Sequence, residues 1–149
     1  LINYLGFAAP GGFILLAARA ANKMWTSPLL PSLGLRCMTC AGVSLIVAGL
    51  NPFPSLIHLT SALLVGLSAA VSILGFSVYT MKHRYSLILA ISGGIVALLV
   101  LTDTATWVLA ETRNIRAHAF MGLQQRLASF SAFFWFSAFA IALSRKHNR

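Results

Sequence analysis

The sequence predicts an all-α protein, a polytopic transmembrane bundle with five helices in this chain. Three observations lead there. Charged residues make up only 9% of the 149 positions while apolar ones make up 58%. A soluble domain carries about 25% charged residues because its surface faces water, so most of this surface meets another solvent, and hydrocarbon is the natural one. The apolar residues fall into five long runs separated by short polar or proline-bearing links. None of these runs alternates with period two, as a membrane strand would.

The chain reads as a single domain over residues 1–149, with helices at about 2–20, 35–50, 57–80, 86–110 and 119–143. Pro10-Gly11-Gly12 is expected to kink the first helix or let a neighbour approach. Arg19 and Lys23 end it, and Pro28, Pro31 and the serines around them read as a loop, with Trp25 at the interface. The second run closes at Asn51-Pro52-Phe53-Pro54, where two prolines forbid continuation. The third run, about 24 residues, spans a bilayer with some tilt. Within it Ala62, Gly66 and Ala70 recur every four residues, a small-residue stripe that admits a neighbouring helix. Lys82-His83-Arg84 and the stretch from Glu111 to His118 are the remaining links, and Ser144 to Arg149 ends the chain.

Charge sets the expected orientation. Arg19, Lys23, Arg36, Lys82, Arg84, Arg145, Lys146 and Arg149 fall on one side. Arg113, Arg116 and Arg126 fall on the other. The positive-inside rule makes the first side cytoplasmic, with the C-terminus there, and a bacterial inner membrane is the expected setting. The net charge of +9 is thus read as juxtamembrane charge facing lipid headgroups, and nucleic acid is not an expected partner. The expected partners are the lipid bilayer and other membrane protein subunits.

Asp103 is the residue most in need of explanation. It sits inside the fourth apolar run among Thr102, Thr104 and Thr106, where an ionisable group costs about 2.5–3.5 kcal/mol on insertion scales. Arg126 lies at a similar depth in the fifth run, about 10 Å from the same end at 1.5 Å per residue. An intramembrane Asp103–Arg126 pair is the sharper expectation. The blander one has Arg126 snorkelling to the headgroups and Asp103 meeting a threonine or water. The same outer layer holds Pro54, His58, Glu111, His118, Gln124 and Gln125. His58 and His118 are candidates to ligate haem or a chlorophyll-type pigment, although histidine is ordinary at helix ends and no metal-ligand spacing is present. Cys37-Met38-Thr39-Cys40 resembles the active pair of membrane thiol oxidoreductases. Against this, the pair has no second cysteine pair for relay and falls on the reducing side. The aromatic stretch from Phe130 to Phe136 suits contact with a pigment or quinone, and equally with lipid.

Three segments resemble the membrane protein family called domain of unknown function 998. They are Ala48-Gly49-Leu50-Asn51-Pro52-Phe53-Pro54, Ile57-His58-Leu59-Thr60-Ser61-Ala62-Leu63, and Gly122-Leu123-Gln124-Gln125-Arg126-Leu127 followed by Trp135. The resemblance spans about Gly42 to Arg145. Ser55 stands where the family often has an acidic residue. The resemblance implies about six helices, hence a sixth ahead of Leu1, and no known reaction. It marks Pro54, His58, Gln125 and Arg126 as special positions.

Two function classes follow. The favoured one is a non-catalytic accessory or structural subunit of a larger membrane complex, binding lipid or pigment. The alternative is a small membrane enzyme or carrier built on the outer His58, Asp103, His118 and Arg126 cluster, or a thiol redox protein using Cys37 and Cys40. The scarcity of acids and the lack of a G-x-S-x-G or H-E-x-x-H motif weigh against catalysis.

Overall fold

The structure, a computed structural model, describes residues 4–24, 29–51, 55–84, 86–113 and 118–147, with side chains described for 6–22, 32–51, 55–84, 86–110 and 123–142. The described residues form five helices and no strand. These are α1 (Ala9–Met24), α2 (Leu29–Leu50), α3 (Leu56–Lys82), α4 (Leu87–Arg113) and α5 (His118–His147), and a π-helical turn at Tyr4–Ala8 leads into α1.

Prolines explain the two largest departures from the expected boundaries, both at helix starts, while α1 and α5 each run four residues past their expected ends. Pro10 is the second residue of α1 and Pro31 the third of α2. The first helical turn has no intrahelical use for its N–H groups, so proline is tolerated there. Pro10 therefore opens α1 behind a wider π turn, and α2 starts six residues before Leu35.

Three helices are long and apolar enough to cross a membrane, at Ser32–Leu50, Leu56–Lys82 and Leu87–Ala110. At 27 residues α3 is about 40 Å long, ample for a hydrocarbon core of about 30 Å. Its two faces are inverted relative to a soluble helix. The exposed stripe is Leu64, Leu67, Val71, Leu74 and Val78, while the buried side includes Ser61, Gly66, Ser68, Ser72, Ser77 and Thr80. Water would not tolerate that arrangement at this length, and lipid favours it, since small and hydroxyl side chains are what let membrane helices pack.

Consecutive helices pack side by side, and α3 is central, touching α2, α4 and α5. Inter-helix contacts fix antiparallel registers. Along α2 and α3, His58 reaches the Ala48 carbonyl at one end and Ser72 donates to the Gly34 carbonyl (2.9 Å) further along. Along α3 and α4, Gly66 faces Thr104 and Gly93 faces Ser77. Between α4 and α5, Trp135 donates its indole N–H to the Leu89 carbonyl at 3.0 Å, and Gln124 reaches Thr106. The densest packing lies around Phe76, Trp135 and Phe139, with the Trp135 and Phe139 rings stacked at 5.4 Å.

Both ends of α3 are closed locally. Ser55 caps the start by accepting the His58 N–H at 3.1 Å. This is the work an acidic residue also does at that position. The other end closes with His83 N–H on the Tyr79 carbonyl and Arg84 in the left-handed region at φ 53°, where glycine is the usual occupant.

Candidate functional site

A cavity of about 370 Å³ lies between the helices, in the half of the bundle that ends at Asn51 and Leu56. Each helix contributes one face. From α3 come His58, Ala62, Val65, Gly66 and Ala69, spaced by three or four residues. From α4 come Val100, Asp103, Thr104, Thr106 and Trp107. From α5 come Gln125, Ala128, Ser129, Ala132, Phe133 and Phe136. Met38, Ala41, Leu45 and Ala48 of α2, with Ile14 of α1 and Phe7 of the π turn, close the rest. Small residues at 41, 48, 62, 66, 69, 128 and 132 leave the space, because close-packed helices bearing Leu there would fill it.

The wall is mostly apolar with a few polar groups. Gln125, Ser129 and Phe133 line the cavity and are also exposed, so α5 forms its mouth. Asp103, Thr106, Trp107 and His58 are half-buried behind it, and Thr104 is buried at 9% exposure.

The hydrogen bonds decide what these groups present. The Thr104 hydroxyl donates to the Val100 carbonyl at 2.8 Å, and Thr106 donates to Thr102 at 2.7 Å. A hydroxyl that has spent its proton on its own helix offers acceptor lone pairs to anything else. His58 places Nδ1 against two carbonyl oxygens, Ala48 at 2.8 Å and Asn51 at 3.1 Å. Carbonyls only accept, so Nδ1 carries a proton, and in a neutral ring Nε2 is the acceptor. Phe7 packs edge-on against that ring at 6.1 Å. The same bonds tie the start of α3 to the end of α2.

Among the described residues no ion pair joins Asp103 to Arg126. Arg126 is exposed, while Asp103 is half-buried in the cavity wall. Successive residues on a helix are turned by about 100°. Gln125 therefore reaches the cavity and Arg126, one step on, is exposed and outside its lining. Cys37 and Cys40 are free thiols on α2, half-buried and exposed respectively, and neither lines the cavity. No group of three metal-ligating side chains occurs among the described residues. Pro54 and the side chains of Glu111 and His118 lie outside the described residues, so the two-histidine ligation expected of His58 and His118 lies outside them too.

The structure thus brings together His58, Asp103 and Gln125 from the predicted set. It adds Trp107, Ser129 and Phe7, which sequence reasoning did not single out. Trp107 had a usable signal, since it lies four residues from Asp103 and so one turn away on the same face. In comparison with known proteins, the chain matches no family model, no curated protein and no solved structure.

Proposed function

We propose that the protein is an integral membrane protein that binds a small amphiphilic molecule in this cavity and holds or carries it at one leaflet. The observation that carries the reading is that all five helices contribute to a mostly apolar cavity, open along α5, whose lining includes the polar groups Asp103, Gln125 and His58. Ligand sites have this character, with volumes of about 300–1,000 Å³, an apolar lining and a few placed polar groups. The volume is at the small end of that range and fits a short-chain amphiphile rather than a two-tailed phospholipid. Exposure of Gln125, Ser129 and Phe133 at the mouth gives such a molecule a lateral path from the bilayer.

In this reading all five helices lie in the membrane, the cavity occupies the leaflet away from the cytoplasm, and the C-terminus is cytoplasmic, as in a bacterial inner membrane. Charge bias supports that orientation. The resemblance to the domain of unknown function 998 family implies no reaction, so the proposal rests on the cavity. It reverses the order expected from sequence, where an accessory subunit came first, because a chain that only packs against partners has no need of a mostly apolar cavity holding a few polar groups. A photoactivatable short-chain amphiphile tests it. Crosslinks on peptides bearing Asp103–Trp107 and Gln125–Phe133 are expected. Crosslinks confined to the lipid-facing Leu64–Val78 stripe would refute it.

A further inference from the structure

The geometry points to a specific ligand class: the cavity recognises an amphiphile with a cationic, ammonium-type head, through Asp103 and Trp107. This rests on the ligand-binding reading above and adds the sign of the charge. Asp103 is the only Asp, Glu, Lys or Arg in the lining among the described residues. Carrying a carboxylate into a membrane helix is costly, and here no basic side chain of the described residues pairs with it. Arg126, the nearest basic residue in sequence on α5, faces outward. A cation brought by the ligand supplies the missing partner.

The surrounding groups agree with that sign. Thr106 has donated its proton to the Thr102 carbonyl and takes a long contact from Gln124 Nε2, which leaves only acceptor capacity for a ligand, and that suits a donor or a cation and repels an anion. Trp107 lies one turn beyond Asp103 on α4, and both line the cavity together with Phe133 of α5. Aromatic rings hold alkylammonium groups, tryptophan best among them, and a carboxylate in the same lining adds the counter-charge. The remaining wall, Ala62, Val65 and Ala132 among it, accepts an alkyl tail.

The test is calorimetric titration of the full chain in nanodiscs, with empty nanodiscs subtracted for partitioning. Three probes share one tail: octyltrimethylammonium, octanol and octyl sulfate. The ammonium is expected to bind at least about tenfold more tightly than the sulfate, a preference of the size that cation–π contact and one desolvated charge pair supply. Asp103→Asn is expected to abolish the preference while keeping octanol binding, and Trp107→Leu to reduce it. Should Asp103→Asn not fold, the wild-type series and Trp107→Leu still decide. Equal binding of all three probes would overturn the cation assignment and leave the amphiphile reading standing, as would preference for the sulfate. Binding of none above empty nanodiscs would overturn both.

Discussion

Gly66 of α3 lies directly against Thr104 of α4, and a Cβ built at position 66 would occupy the space of the Thr104 hydroxyl. The two helices therefore approach as closely as their backbones allow at the level of the cavity. Thr104 holds its side chain there by bonding the Val100 carbonyl, so it cannot swing aside without giving up that bond. Gly66→Val is expected to push α3 and α4 apart and cost about 1–3 kcal/mol, the range for overpacking. Thermal unfolding in detergent measures the loss, and Gly12→Ala, at a position with open space around it, is expected to be neutral by comparison.

Trp135 clamps the other half of the bundle. Its indole N–H reaches the Leu89 carbonyl across the α4–α5 interface while its ring stacks on Phe139. Trp135→Phe keeps an aromatic ring and removes the bond. Interhelical hydrogen bonds in membranes average about 0.6 kcal/mol, so a small drop in stability is expected. Trp135→Ala empties a buried site and is expected to cost about 3–5 kcal/mol. Equal effects from the two variants, read from the same unfolding curves, would show that the bond and not the ring sets the packing.

The helices were legible in the sequence and their faces were not. Five runs of apolar residues give five helices, three of them long and apolar enough to cross a membrane, where a backbone has no other way to bond itself. Starts were harder to read, since Pro10 and Pro31 look like interruptions until they are seen in first turns. The faces resist reading for a physical reason. A membrane helix is apolar on every side, so no amphipathic stripe says which side turns inward. His58, Asp103 and Gln125 announced themselves by polarity. Arg126 did so equally, yet its one-residue offset from Gln125 turns it outward. Phe7 and Ser129 look like any lipid-facing residue until the bundle is assembled.

Cys37 and Cys40 lie outside the cavity lining and are not bonded to each other. The double substitution Cys37→Ser, Cys40→Ser is expected to leave amphiphile binding within about a factor of two, since sites without shared partners act independently. Loss of binding or of a thiol-dependent activity in the double variant, measured against wild type under reducing conditions, would restore the redox reading of the C-x-x-C pair.

Orientation has its own test. Arg36, Lys82 and Arg84 are exposed at one end of the bundle, and the positive-inside rule predicts that this end faces the cytoplasm. A reporter fused after Arg149 that folds only in the cytoplasm is expected to be active, and one that requires export is expected to be silent. The opposite pattern would place the cavity in the cytoplasmic leaflet.

Occupancy of the cavity between the five helices can be read on the intact protein. Native mass spectrometry of the gently purified full chain tests it most directly, comparing wild type with Ala132→Trp, a change that fills the space beside Phe133 and Phe136. A one-to-one adduct of a small amphiphile is expected on the wild type, and its loss from the variant. A wild-type chain that carries no adduct and arrives with stoichiometric partner subunits would contradict it, and would return the protein to the accessory role that its sequence first suggested.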